Sequence, residues 1–227
     1  MTSLLITATN RGIGLELARQ AIGRGWLVYG SARTREQAEL TGRELGSDRF
    51  VPLVFDVTDH TAVANAAAEI DAPIDVLINN AGIIGPDRQA TLDMDFAGFA
   101  KTLEINTLAP LAVAQAFLPH LKRSENGRIV TISSQMSWMG YAKSDRIAYR
   151  ASKAAVNKVM QGLSTDLKPD NITVALVDPG WVRTDMGGPE ADNDPVDVAG
   201  GILDLAGGLT QSQTGRFFKW NGEERDF

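Results

Sequence analysis

The chain has 227 residues, 44% of them hydrophobic, with 22 basic and 28 acidic side chains for a net charge of −6, and it has no cysteine. That is enough material for one domain with a sizeable core, and it excludes a disulfide frame and thiolate chemistry. The absence of a basic run or stripe argues against nucleic acid as a partner, and no apolar run approaches the ~18 residues of a membrane span.

The first strand pattern starts at Ser3, so no signal peptide is expected ahead of it. A cytoplasmic protein is expected, in which the sequon Asn171-Ile-Thr173 is idle. Short apolar runs alternate with longer helical patterns. Strands are expected at 3–7, 27–32, 50–55, 75–79, 128–133, 172–177 and 215–220, and helices at 12–24, 34–46, 60–70, 94–122, 147–168 and 195–206. The alternation predicts an α/β fold: a single doubly wound (Rossmann) domain over 1–227, about seven parallel strands with helices on both faces. Val76–Ile78 and Ile129–Ile132 are apolar without clean alternation, as strands covered on both faces are.

Strand one passes into helix one through Thr7-Ala-Thr-Asn-Arg-Gly12-Ile-Gly14. Glycines there let the chain turn tightly and let a diphosphate approach the backbone at a helix N-terminus, where the dipole and free N–H groups favour an anion. An ordinary tight turn would read the same way. Strand two ends at Tyr29-Gly-Ser-Ala-Arg33. A dinucleotide with a free ribose 2′-hydroxyl usually meets an acid at such a strand end. Ala32 stands there instead, followed by Arg33, and Arg11 sits in the glycine turn. Two guanidinium forks near one ribose suit a 2′-phosphate. NADP(H) is therefore expected in preference to NAD(H); the alternative is that Arg33 only solvates the start of helix two.

Strand three ends at Asp56-Val57, where a carboxylate could accept from an adenine amino group, whereas Asp59 reads as a helix cap. Strand four ends at Asn79-Asn80-Ala81-Gly82, small and amide residues suited to close passage of backbone past a ligand or a neighbouring strand. In the long helix, Pro110 has no N–H to give the Asn106 carbonyl four residues earlier. That carbonyl is expected to be left free to hold a water, the alternative being a kink that only shapes packing. Strand five ends in Ser133-Ser134, followed by Gln135, Met136, Trp138, Met139 and Tyr141. A hydroxyl at that strand end could donate to a carbonyl oxygen. Tyr149 and Lys153 then stand one helical turn apart on one face, where a nearby ammonium is expected to lower the phenol's pKa from ~10 toward working pH. Strand six leads into Val177-Asp-Pro179-Gly180-Trp-Val182-Arg-Thr184, and the acidic, glycine- and proline-rich stretch after it reads as a mobile surface loop.

Together these segments resemble the classical short-chain dehydrogenase/reductase family, and their texture is similar to its small carbonyl-reductase branch. The resemblance covers nearly the whole chain in the right order: the glycine turn at 7–14, Asp56, Asn79–Gly82, Asn106, Ser134, Tyr149-x-x-x-Lys153 and Pro179-Gly180. It implies that Tyr149 is the acid/base, that Ser134 orients the carbonyl, and that Asn106 holds the water of a proton relay. Lys153 is implied to bind the nicotinamide ribose and depress the Tyr149 pKa. The implied cofactor contacts are Arg11, Gly12, Ile13, Gly14, Arg33, Asp56, Val57, Asn80, Ala81, Gly82, Tyr149, Lys153, Pro179, Gly180, Val182 and Thr184. Two departures stand out. Ala8 replaces the family's usual glycine, so that turn is expected to be slightly reshaped, because alanine does not take positive φ cheaply. The spacing from Ser134 to Tyr149 is long, which keeps Ser133 as a second candidate hydroxyl.

The expected activity is interconversion of a small-molecule carbonyl and an alcohol with NADP(H). The rival is a non-catalytic, redox-sensing NADP(H)-binding protein, and an enzyme of the same fold acting on an enoyl or imine bond is a third reading. Trp138, Met139, Trp181 and Met186 either wall an apolar substrate pocket or serve as packing, and 185–197 is either a substrate lid or a plain solvated loop. His60 and His120 lie far from these motifs, and no metal site is expected. The long helices 94–122 and 147–168 are compatible with a homodimer, a homotetramer or a monomer.

Overall fold

A computed structural model of the chain describes residues 1–140 and 142–227, so Tyr141 lies outside the described residues. The chain runs β1 (Ser3–Ile6), α1 (Gly12–Gly23), β2 (Leu27–Ala32), α2 (Arg35–Leu45), β3 (Phe50–Val54), α3 (His60–Ala68) and β4 (Val76–Asn79). A small hairpin follows, β5 (Gln89–Ala90) and β6 (Asp93–Met94), then α4 (Phe96–Leu103), a π turn (Glu104–Leu108) and α5 (Ala109–Lys122). The remainder is β7 (Arg128–Ile132), α6 (Ile147–Asp166), β8 (Thr173–Asp178), α7 (Pro195–Gly208), β9 (Phe217–Lys219) and β10 (Glu224–Arg225).

The main sheet has the order β10-β9-β8-β7-β4-β1-β2-β3. Its pairs from β3 to β9 are parallel, and β10 lies antiparallel to β9. Each buried strand is apolar on both alternating sets of side chains because each face carries helices. Leu5, Leu77, Ile129, Val174 and Leu176 pack with Val63, Val113, Phe117, Val156 and Met160 of α3, α5 and α6. Leu4, Ile6, Val76, Ile78, Val130 and Val177 pack with Leu17, Ala18, Ile202 and Leu203 of α1 and α7. Each fully buried large side chain contributes roughly 1.5–3 kcal/mol of transfer free energy. The strand order reverses between β1 and β4, which opens a crevice at the carboxyl edge of the sheet.

The sheet is the expected doubly wound one of about seven strands, with the two-residue β10 added at its edge. Two expectations are revised. The expected helix 94–122 starts at Phe96, with Asp95 Oδ1 accepting from Gly98 N at 2.9 Å, because Asp93 and Met94 belong to the hairpin. Its middle is wound as a π turn, in which Ala109 N–H reaches the Glu104 carbonyl one residue further back than in an α-helix. Pro110 lies at this change of winding, as the loss of its N–H predicts.

The second revision concerns Ala8. The turn is not reshaped to spare it: Ala8 itself adopts φ of 59°, in the left-handed region. That conformation costs an L-residue roughly 1–2 kcal/mol, of which glycine's greater unfolded-state freedom would return about 0.5–1. Ala8→Gly is therefore expected to stabilise the protein by about 0.5–1 kcal/mol, read as a higher urea midpoint at unchanged slope. A lower midpoint would show that Ala8 is not strained.

Candidate active site

The crevice collects side chains from six strand ends. After β1, Gly14 is wedged under the turn: a Cβ there would lie 2.2 Å from the Ala8 carbonyl oxygen and 2.5 Å from Asn80 Nδ2. Gly12 has φ of 56° and faces Thr184, whose Cγ2 would lie 3.4 Å from a Cβ at that position. The N-terminus of α1 has no side-chain cap and no acid in its first turn, whereas Thr34, Asp59, Asp95 and Asp194 cap α2, α3, α4 and α7. Orphan N–H groups left open in this way suit an anionic diphosphate. Ile13 lies in the same turn.

After β2, Ala32 is buried and Arg33 exposed. Arg11 is exposed too, and its Nη1 donates to Asp185 Oδ2 at 2.8 Å. After β3, Asp56 Oδ1 accepts from Thr58 N and Thr58 Oγ1, at 2.9 and 2.8 Å. Partial burial pushes this carboxyl up, but the Thr58 bonds and the Lys101 and Arg33 charges outweigh it and hold it below the usual value. Val57 is buried beside it. Asp59 caps α3 as read from the sequence, accepting from Ala62 N.

After β4, Asn80 holds the glycine turn: its Nδ2 donates to the Thr7 and Ala8 carbonyls at 2.9 and 3.2 Å. Thr7 Oγ1 in turn accepts from the N–H groups of Asn80 and Ala81. Gly82 lies where a Cβ would come within 3.3 Å of Asn106 Oδ1 and 3.6 Å of Lys153 Nζ. Asn106 is buried, and its amide clamps Ile83, accepting from its N at 2.9 Å and donating to its O at 2.8 Å, while also donating to Ser152 Oγ.

After β7, two adjacent hydroxyls part company. Ser133 Oγ donates to Asn157 Oδ1 at 2.5 Å and is consumed inside α6's packing. Ser134 faces the phenol of Tyr149 and interacts with it. Tyr149 and Lys153 share a face of α6, with Lys153 Nζ 5.7 Å from the phenol ring's centroid and donating to the Ile132 carbonyl at 2.8 Å. After β8, Pro179 is buried and Gly180 turns the chain at φ of 72°. Val182 is buried and pairs with Asn193, and Thr184 Oγ1 accepts from Gly187 N.

The expected lowering of the Tyr149 pKa is corrected. Burial pushes the phenol up to about 12; the Ser134 interaction and the Arg146 charge pull it down, and Asp178 pushes it further up. Desolvation wins because phenolate loses its water in this crevice. Lys153 is itself pulled down to about 8 by burial. The unfolded chain therefore holds the lysine proton up to ~10.5 while the folded chain releases it near 8. The burden of burying the ammonium is full below pH 8 and fades as pH rises toward 10.5. Lys153→Met is expected to exceed wild type in stability by about 1–3 kcal/mol at pH 7, with the gap closing by pH 10. Paired urea unfolding curves at the two pH values test this; a gap that widens with pH refutes it.

Several supporting groups escaped the sequence reading. Gln89 Oε1 accepts from Tyr149 N while its Nε2 donates to Ile84 O and Pro86 O. Ser152 and Asn157 also lie beside the site. Tyr149, Ser152, Lys153 and Asn157 form a polar stripe along one face of α6, at a spacing that would have revealed both. The loop after β8 is tied back on itself: Arg183 bonds Ala191 O, Asp192 O and Asp194, and Trp181 Nε1 bonds Gly187 O. Trp138, Met139, Trp181 and Met186 are exposed to different degrees, and His120 is structural, its Nε2 against Ile70 O. Among the described residues no cluster of His, Cys, Asp and Glu could hold a metal, and no helix is long and apolar enough to cross a membrane.

The short chain dehydrogenase family model matches residues 2–195. The chain belongs to the short-chain dehydrogenase/reductase family. C-signal of Myxococcus xanthus is 44% identical over 154 residues, spanning 67% of this chain and 92% of that protein. A 3alpha-hydroxysteroid dehydrogenase of Mediterraneibacter gnavus is 31% identical over 245 residues, 97% of this chain and 96% of its own. Among solved structures, carbonyl reductase Sniffer of D. melanogaster superposes with a TM-score of 0.92 at 31% identity, covering 100% of both chains. NADPH-bound carbonyl reductase from chicken fatty liver gives 0.91 at 28%, covering 100% of this chain and 99% of its own. This short-chain dehydrogenase/reductase thus falls in the carbonyl-reductase-like branch of the oxidoreductases.

Proposed function

We propose that the protein is an NADP(H)-dependent reductase that interconverts an aldehyde or ketone with its alcohol. The observation that carries this is the meeting of Ser134, Tyr149 and Lys153 at the carboxyl edge of the sheet, the edge at which α1 begins with an uncapped N-terminus. The nicotinamide cofactor supplies the hydride. Ser134 donates a hydrogen bond to the substrate oxygen, and Tyr149 gives that oxygen its proton. A phenol kept protonated by burial is suited to act as the acid. Lys153 binds the ribose beside Gly82. The Asn106 amide is spent on Ile83 and Ser152, so the relay water falls to its main-chain carbonyl.

Arg33, exposed at the end of β2 next to buried Ala32, is the residue from which we infer preference for NADP(H). The NADPH-bound neighbour from chicken fatty liver supports NADP(H) binding. Arg33→Ser is expected to weaken NADPH binding at least tenfold and to leave NADH binding nearly unchanged, since charge-assisted bonds to a phosphate contribute roughly 1.5–3 kcal/mol each. Fluorescence titration with both cofactors checks it; equal losses would remove the 2′-phosphate role. In this reading Gly12, Ile13, Val57, Ala81, Pro179, Val182 and Thr184 are further cofactor contacts.

The activity itself is tested by following oxidation of NADPH and NADH by purified protein across aldehydes, ketones and quinones. Turnover with none of them, despite tight NADPH binding, would favour the second reading. That reading is a non-catalytic redox sensor, and it draws support from the M. xanthus relative, which is named for a signal rather than a reaction. Against it stands the full set Asn106, Ser134, Tyr149 and Lys153, which a sensor has no need of.

A further inference from the structure

The carboxyl-terminal hairpin reaches the candidate site through one buried ion pair. Asp178, the last residue of β8, is 4% exposed. Its Oδ1 accepts from Gly180 N at 2.9 Å, fixing the turn that follows the strand. Its Oδ2 is held by Arg225 Nη1 of β10. Arg225 lies over the Phe217 ring, 5.2 Å from its centroid, and Phe217 stacks on Phe227 at 5.6 Å. Trp220 N donates to the Asp178 carbonyl, so strand and hairpin hold one another on two sides. The preceding residue, Val177, pairs with Ile132, and its carbonyl accepts from Ser133 N at 2.7 Å. Asp178 is therefore the sheet neighbour of the Ser133-Ser134 strand end, on the side where Tyr149 stands.

We propose that Arg225 is a positioning residue for the acid/base end of the site: by holding Asp178 it fixes the Pro179-Gly180 turn and balances the buried carboxylate beside the Ser133-Ser134 strand end. The charges that act on the phenol are Asp178 of β8, which makes it harder to ionise, and Arg146 ahead of α6, which makes it easier; Lys153 Nζ lies 5.7 Å from its ring centroid and is neutral at the alkaline pH of the test. Removing Arg225 leaves the carboxylate uncompensated and makes the phenol harder to ionise. Removing the carboxylate leaves a guanidinium in its place and makes ionisation easier. The two substitutions break the same ion pair yet act on Tyr149 with opposite signs. A purely structural latch would give the same sign in both, or no effect on the phenol.

The experiment uses the full chain in wild type, Arg225→Met, Arg225→Lys, Asp178→Asn and the double variant, each with and without Tyr149→Phe. Absorbance of tyrosinate at about 295 nm, taken as the difference between each protein and its Tyr149→Phe partner, reports Tyr149 alone and needs neither cofactor nor substrate. Near-UV circular dichroism confirms that each protein is folded at the pH used. At about pH 11 the Tyr149 share should be larger than wild type in Asp178→Asn and smaller in Arg225→Met, with Arg225→Lys close to wild type. Midpoint displacements of about half a unit or more are expected for a charge change this close. The role in the reaction rests on the reductase reading, and there the alkaline limb of turnover should move up in Arg225→Met and down in Asp178→Asn. Displacements of the same sign, or none in folded variants, overturn the proposal even if wild-type turnover stands. Absent wild-type turnover with opposite absorbance displacements would overturn the reductase reading and leave the positioning role supported.

Discussion

Tyr149→Phe is expected to reduce turnover by about three orders of magnitude or more while NADPH affinity stays within a few-fold. General acid catalysis by a placed group contributes roughly 10²–10⁴ in rate, and the phenol hydroxyl is the group that Ser134 faces at the strand end. Phenylalanine preserves the ring that lies beside Lys153 and keeps the buried surface of α6, so the fold is not challenged. The measurement is steady-state NADPH oxidation with whichever carbonyl compound turns over best, alongside cofactor fluorescence titration. Turnover within tenfold of wild type would remove Tyr149 from the acid role. A parallel loss of affinity would make it a cofactor contact first.

Gly14→Ala is the second large effect. The added Cβ would sit 2.2 Å from the Ala8 carbonyl oxygen and 2.5 Å from Asn80 Nδ2, a backbone atom and a side chain fixed by two hydrogen bonds. Neither can yield without opening the turn between β1 and α1. Overpacking of this kind costs about 1–3 kcal/mol in stability, and the turn that opens is the one proposed to approach the diphosphate. NADPH affinity is therefore expected to fall at least tenfold. Gly23→Ala at the far end of the same helix is the control, because nothing lies within 4 Å of a Cβ there. It should keep affinity and keep or raise the unfolding midpoint, since alanine is the better helix former. If Gly14→Ala binds NADPH as wild type does, the glycine turn is a packing feature and not the cofactor's cradle.

Most of the architecture was legible from the order of apolar runs. Seven strands and the α1, α2, α3, α5, α6 and α7 helices fall where hydrophobic periodicity puts them, because burial on both faces of a parallel sheet leaves little choice of residue. The placement of Gly12, Gly14, Asn80 and Ser134 at strand ends, and of Tyr149 and Lys153 on one helix face, was legible because strand ends and a helical i,i+4 step are fixed by backbone geometry alone. Pro110 announced the change of winding beside Asn106, since a missing N–H is a local fact.

What tertiary structure decided is which of those groups is free to act. The sequence favours Ser134 but keeps Ser133 as a second candidate; successive residues of an extended chain point to opposite sides, and Asn157 takes the hydroxyl of Ser133. The Asn106 amide is spent on Ile83 and Ser152, partners 23 and 46 residues away. The Tyr149 phenol is raised, not lowered, because burial depends on everything packed around it while the i,i+4 lysine is only one neighbour. Arg225 reaches Asp178 across 47 residues, from a strand too short to show a pattern. The fold follows from local periodicity and backbone rules, and the ordered set of chemical groups is carried by the motifs that resemble the family, so both were readable before any contact was known. Protonation, hydrogen-bond commitment and the charge balance of the site were left to the tertiary structure, because they depend on desolvation and on contacts between residues far apart in the chain.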